Sequence, residues 1–418
     1  MKKSSGDDPA FRERVESTPA SVGVNLLIPL VVASGLYQIA LLLGYAVIIK
    51  LNDSSAVAQL LVFYSAFSLL SIFIRFGGSD ALLAANSGAL SSACGRFCAV
   101  SVVLLTVIGL PLTAALFVKS DLGVFSIVCF AAMLLLQPNA AINEQCAYLS
   151  KQLRHVFYSR VVGTVLIGAC LIGSLTFGRL DVNFLILFGI ASSFYYVRFT
   201  PDLSRALRSF GAIRLTDAIK GNFLYLLLGL AYILPLTVDK LLGGWFIRSD
   251  DLIVYDFNLK LALVVDTVLL SPFLGWLGAY RAGGISRRWI VSAVCGLGVA
   301  MLVILFVVSW LFESGFVIVL SLDNFFDSAC FSVLITAIFV GFFNNALKQR
   351  LLYLGLVRVY LGGVAIAWCI AIVALLFFNA LLDDAWSLSV ALLLLFFVMF
   401  FINLLLLKVC SWRPRAGG

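Results

Sequence analysis

Five ionic side chains stand where apolar surroundings ought to exclude them. Asp239-Lys240 lies in one hydrophobic run of the 418-residue chain, and Asp256, Lys260 and Asp266 lie in the next. A single Asp or Lys at the centre of a bilayer costs about 2.5–3.5 kcal/mol on insertion scales, so such groups face a partner, water or a cargo. Asp256 and Lys260 are four residues apart and share one helical face. Two chemistries fit. In one, the opposite charges neutralise each other and hold two helices together, with Lys240 reaching back to the interface. In the other, they line a cavity in the membrane. Buried ion pairs stabilise less than apolar packing of the same volume, which favours the second.

Other polar groups extend the pattern. Gln137, Pro138, Asn139, Asn143, Glu144 and Gln145 crowd one apolar run. Gln137 and Glu144 are two turns apart on one stripe, and Asn139 and Asn143 share a neighbouring one. A helix this polar faces protein or water, and the proline is expected to loosen it. Glu144 reads either as an interfacial residue or as a proton-titrating carboxylate. Arg75 precedes the glycines of RFGGSD, where a break or a close approach is allowed. Arg75 and Arg160 read as topology anchors or, if they point inward, as positive charge for an anion.

The elements that must position these groups are set by composition. The chain is 62% hydrophobic and 12% charged, with mean hydropathy +1.09; soluble domains are about 25% charged. Apolar runs recur near 22–49, 56–84, 97–118, 123–148, 156–177, 182–200, 221–246, 251–277, 289–312, 328–347, 357–378 and 386–408. Runs of this length cross a hydrocarbon core of about 30 Å, and each must satisfy its own backbone, so helices are expected. All but six of the 29 Lys and Arg residues fall in alternate gaps. The opposite gaps hold only Lys50, Lys119, Arg179 and Arg248, beside many acids, and the remaining two are Lys240 and Lys260. By the positive-inside rule both termini are cytoplasmic. Trp245, Trp310 and Trp386 mark outer ends, and Trp276, Trp289 and Trp412 inner ends; Trp368 alone is in mid-span. Helical rise then puts Asp239-Lys240 about 7–9 Å below the outer surface, Asp256 about 8 Å and Lys260 about 14 Å. The two acid/base sets are expected to meet.

The predicted fold is an all-α polytopic membrane protein of about 12 transmembrane helices, in two six-helix lobes around a central cavity. Its parts are a cytoplasmic tail (1–21), an N-terminal lobe (22–200), a cytoplasmic amphipathic linker (201–220), a C-terminal lobe (221–408) and a second tail (409–418). Leu203, Leu207, Phe210 and Ile213 recur at helical spacing opposite Arg205, Arg208 and Arg214, as in a helix lying on the membrane surface. A central connection between six spans and six is the plan of transporters built from two parallel repeats.

Several classes are disfavoured. The net charge of +8 is distributed as a topology signal, so no nucleic-acid partner is expected. The nine Cys contain no CxxC pair, and there is one His (His155), so neither a zinc site nor a disulfide framework is expected. Cys94 and Cys98, one turn apart, read as apolar packing residues. No P-loop, HExxH or GxSxG occurs, and no long loop carries catalytic groups, so no enzyme is expected. The first apolar run is too long for a cleavable signal, and insertion is expected through the first helix itself.

The run LPLTVDKLLGGWFIRSDDLIVYDFNLKLALVVDTVLLSPFLGW, 234–276, resembles helices seven and eight of polysaccharide flippases of the multidrug/oligosaccharidyl-lipid/polysaccharide exporter superfamily. Members carry an Asp-Lys or Asp-Arg, an acidic or polar gap, then a Tyr and a basic residue; here these are Asp239-Lys240, Ser249-Asp250-Asp251, Tyr255 and Lys260. The stretch 58–85, AQLLVFYSAFSLLSIFIRFGGSDALLAA, resembles the family's second helix. The chain departs from the family around Gly35 and Gly44 and at Asp266. The resemblance implies a flippase that moves a polyprenyl-pyrophosphate-linked oligosaccharide from inner to outer leaflet of a bacterial inner membrane. Lys260, Asp256, Asp239, Lys240, Arg75, Arg160 and Tyr255 would line its cavity. Proton or sodium coupling through Asp239, Asp256, Glu144 or Asp266 is the only cofactor-like requirement, and a polysaccharide polymerase and other assembly proteins are the implied partners. Two alternatives stay open: a multidrug or metabolite antiporter of the same superfamily, and a membrane polysaccharide polymerase.

Overall fold

The structure is a computed structural model that describes residues 20–51, 54–78, 82, 97–98, 100–118, 124–149, 153–177, 215–233, 236–237, 240, 248–270, 287–313, 325–353, 356–378 and 384–411. Asp80, Asp239, Arg205, Arg208 and span 182–200 lie outside the described residues.

The described chain is helical throughout. Its elements are α1 (Ala20–Leu51), α2 (Ser54–Arg75), α3 (100–118), α4 (Val124–Leu149), α5 (Leu153–Phe177), α6 (Leu215–Ile233), α7 (Ser249–Val265), α8 (Arg287–Glu313), α9 (Ser328–Tyr353), α10 (Val357–Phe378) and α11 (Asp384–Ser411). Among the described residues, Ile28–Ile49, Arg154–Gly173, Ser328–Asn345, Val357–Ala374 and Ala385–Leu406 are long and apolar enough to cross a membrane.

These helices are apolar on every side, as water would not tolerate but lipid does. On α1, Ile28, Val32, Leu36, Ile39 and Leu43 form an exposed stripe, while Leu30, Ala33, Tyr37 and Tyr45 are buried. The largest core joins both halves of the chain: Tyr45, Ile49, Val57 and Leu61 pack with Leu228, Leu252, Phe257, Phe331, Leu334, Tyr360 and Leu392. At its centre is α7, which packs against α9 and α11 and also against α1 and α2.

In lipid, polar contacts and close packing replace the hydrophobic drive between helices. The pair α9–α11 uses both. Asn344 Nδ2 donates to the Phe396 carbonyl (2.7 Å), Asn403 Nδ2 donates to Asn344 Oδ1 (3.2 Å), and Cys330 Sγ lies 3.1 Å from Ser389 Oγ. Asp327 caps α9, its Oδ1 accepting from the Ala329 (2.9 Å) and Cys330 (3.0 Å) amides.

Several expected boundaries move. The helix of span two is interrupted after Arg75, where Phe76 (φ 49°) and Gly77 (φ 70°) turn left-handed, and Gly78 and Leu82 are helical again. Glycine takes that conformation freely, and Gly77 has a second reason: a Cβ there would run into the backbone of Tyr225 and Leu226 on α6. Residues 215–220, the last of the expected linker, form the first turns of α6. Span seven is not one helix to 246. It ends at Ile233, two residues before Pro235, with Leu236 and Thr237 in a tight turn and Lys240 helical again. Pro138, by contrast, is accommodated inside a continuous α4.

Two π-helical segments interrupt the α pattern: Leu105–Gly109 within α3, and Asp266–Leu270 directly after α7. Such segments concentrate at functional positions, and the second begins at an acidic residue singled out above. Of the described cysteines, Cys98, Cys146, Cys330 and Cys369 are free thiols. Trp368, the mid-span exception, is half-buried on α10 with no hydrogen-bond acceptor for its indole N–H.

Candidate functional site: a buried carboxylate between two lysines

The strongest concentration of charge is built by α7. Its i, i+4 register stacks Lys260 one turn below Asp256, and the ammonium donates to Asp256 Oδ2 at 2.5 Å. From α1, the Tyr45 hydroxyl donates to the same oxygen at 2.6 Å. From the broken stretch after α6, Lys240 Nζ lies 3.4 Å from Asp256 Oδ1 and donates to the Leu236 carbonyl at 2.8 Å. Lys260 Nζ also sits 3.2 Å from the centroid of the Tyr45 ring, a cation–π contact. Three elements distant in sequence therefore converge on one carboxylate.

Accessibility separates the members. Asp256 is fully buried, and the Lys240 side chain is 11% exposed, whereas the Lys260 side chain is 35% exposed. The cluster thus has a sealed anionic centre and one lysine whose side chain is partly exposed, its ammonium held between the Asp256 carboxylate and the Tyr45 ring. Burial of an unpaired carboxylate would be costly, and charge-assisted bonds from two sides offset that cost. Among the described groups one negative charge meets two positive ones.

This geometry corrects part of the expected lining. Tyr255 and Asp256 are both fully buried in the core around α7, packed by Ile253, Phe257 and Leu259, so neither faces an open cavity in this conformation. Lys260 alone of the α7 trio Tyr255–Asp256–Lys260 is partly exposed. The structure brings Lys240, Asp256 and Lys260 together; Asp239 lies outside the described residues.

A second charged pair lies in the first half of the chain. Arg160 on α5 donates to Glu144 on α4 at 2.6 Å, with side chains 16% and 23% exposed, and its guanidinium lies 5.1 Å from the Tyr37 ring centroid. Glu144 and Arg160, read apart in the sequence, are partners between α4 and α5. Arg75 is half-buried at the end of α2, and Asp266 is half-buried at the start of its π turn.

Three residues with notable polar or ring contacts escape the sequence reading. Tyr45 and Tyr37, eight residues apart on α1, each present a ring to a cation. The one available signal was that spacing, about two turns on a single face. The third, Asn258, is fully buried on α7. Its Nδ2 donates to the Phe325 carbonyl (3.0 Å), and its Oδ1 accepts from the Asp327 amide (3.3 Å), fixing the entry to α9.

Helices α1 and α7 run in opposite directions along their contact: Tyr45 meets Asp256 near one end, and Gly35 meets Val268 further in, where a Cβ on Gly35 would lie 3.6 Å from Val268 Cγ1.

No protein-family model matches the chain, and no curated protein matches it. Solved structures do. A Vibrio cholerae MATE transporter, VcmN with an Asp-to-Asn substitution, aligns at 15% identity and TM-score 0.56, covering 94% of this chain and 98% of that one. A MATE structure in complex with Br-NRF aligns at 13% identity and TM-score 0.52 over 95% and 97%. Another, in complex with MaD3S, aligns at 11% identity and TM-score 0.53 over 96% and 98%. The chain therefore shares the all-helical, twelve-helix, two-lobed membrane fold of the MATE transporters.

Proposed function

We propose that this protein is a transporter of the multidrug/oligosaccharidyl-lipid/polysaccharide exporter superfamily, with no enzymatic activity of its own. Its cargo is a polyprenyl-pyrophosphate-linked oligosaccharide, flipped from the inner to the outer leaflet of a bacterial inner membrane by alternating access of two lobes. Both termini face the cytoplasm. The observation that carries this reading is the Asp256 cluster, where two ammonium groups share one sealed carboxylate and the Lys260 side chain is partly exposed. Two ammonium groups held together in an apolar bundle suit an anionic headgroup such as pyrophosphate, while the polyprenyl tail stays in lipid. Glu144, Asp266, Asp256 and Asp239 remain the candidate carboxylates for a coupled proton or sodium ion. The implied partners are a polysaccharide polymerase and other assembly proteins of the same membrane.

The direct test is cellular. Lys260→Ala and Asp239→Ala are expected to abolish surface polysaccharide while the protein stays in the membrane. Wild-type polysaccharide in both variants refutes the site assignment.

One observation favours a second reading: the aligned MATE structures include complexes with Br-NRF and MaD3S, which fits a drug or metabolite antiporter. Cationic drugs call for carboxylates facing the cargo, whereas the partly exposed group here is Lys260. Drug-resistance profiling of a deletion strain separates the two.

A further inference from the structure

We infer that Tyr45 is a positioning residue that holds the anion-binding lysine in check, linking separation of α1 from α7 to anion binding at Lys260. The inference rests on the anionic-cargo reading above and names how that site is governed.

Tyr45 is the hand that the first half of the chain lays on the cluster. Its hydroxyl donates to Asp256 Oδ2 while its ring lies against Lys260 Nζ. Asp256 and Lys260 belong to one helix and stay together however α7 moves, because their bond is within the turn. Tyr45 belongs to another helix and leaves when α1 leaves. With α1 in place, the ammonium of Lys260 is confined between a carboxylate and an aromatic face, with 35% of the side chain exposed. With α1 withdrawn, the aromatic face is gone, and Lys260 has more directions in which to meet an anion.

An anion therefore binds the separated state better than the joined one. A ligand shifts a conformational equilibrium by its difference in affinity for the two states, so pyrophosphate at Lys260 favours separation, and separation favours pyrophosphate. Tyr45 sets the size of that difference. The seam on which it acts is continuous, running from Tyr45–Asp256 to the Gly35–Val268 contact at the π turn. The α9–α11 pair, held by Asn344 and Asn403, is not part of it.

The experiment uses the full-length protein in lipid nanodiscs, with inorganic pyrophosphate as the probe. Tyr45→Phe keeps the ring and removes the hydroxyl. It is expected to bind pyrophosphate about tenfold more tightly than wild type, the scale of one hydrogen bond to a charged group. Amide exchange should quicken in segments 40–51 and 252–262 while staying at the wild-type rate in α9 and α11, which reports an intact fold. Lys260→Ala should lose pyrophosphate binding. Equal or weaker binding by Tyr45→Phe, an unchanged seam, or undiminished binding by Lys260→Ala overturns the inference. Tighter binding with wild-type exchange in α9 and α11 is an outcome that general loss of fold does not give. The readout needs no sugar. Normal surface polysaccharide in a deletion strain would remove the proposed cargo and leave this linkage standing, while the reverse result would remove the linkage alone.

Discussion

Asp256 is a carboxylate that cannot be deleted alone. Removing it takes away the carboxylate that Lys240 and Lys260 share, and breaking a buried pair from one side costs about 3–5 kcal/mol. Asp256→Ala is expected to lower the thermal midpoint of the detergent-solubilised protein sharply. Asp256→Ala combined with Lys240→Met should recover part of the loss, because the ammonium that met this carboxylate has gone with it; an additive double variant would show that Lys240 and Asp256 do not share one electrostatic unit. At this scale the sequence was informative where partners are close along the helix. Asp256 and Lys260 could be paired from their four-residue spacing, and Lys240 from its depth. Tyr45 could not, because an aromatic residue in an apolar helix carries no mark of which carboxylate it meets from another helix. Glu144 and Arg160 were both visible, but their pairing depends on how α4 and α5 pack.

Among the helices, the informative features are where the regular pattern fails. Helix α2 ends where Phe76 and Gly77 turn left-handed against α6. Gly77→Ala would combine a left-handed cost of about 1–2 kcal/mol with a collision against the Tyr225–Leu226 backbone. It is expected to reduce the yield of folded protein, as read by fluorescence-detected size exclusion. A yield equal to wild type would mean that the α2–α6 contact is soft. The glycines of RFGGSD announced that a break was allowed, and Pro235 stood in the run that proves interrupted. Neither fixed the side on which the helix stops, since that depends on what packs alongside. The π turns at Leu105–Gly109 and Asp266–Leu270 left no trace in composition or periodicity, because one inserted residue changes neither. Pro138 gave the opposite lesson, since a proline inside a helix need not end it when neighbours support the turn.

For the whole molecule, the alternation of charge and the apolar runs were sufficient to define an all-helical membrane fold, because a bilayer leaves a chain few alternatives. How the helices of the two halves meet was not legible, since lipid and protein interiors are equally apolar and an apolar residue fits either. Only packing distinguishes Leu30, buried, from Ile28, facing outward on the same helix.

The first helix has divided allegiance. Tyr37 faces Arg160 on α5, with Ile167 packed beside it, whereas eight residues on Tyr45 grips α7. Any rocking of the two halves must slide α1 along one neighbour and carry it rigidly with the other. If α1 travels with α5, a disulfide staple between Ala40→Cys and Ile167→Cys, in a background without the nine native cysteines, leaves export running. A staple between Gly35→Cys and Val268→Cys stops it. Export that survives the second staple and dies with the first would reassign α1 to the other rocker, and the mechanical fault line of the protein would then run along α5.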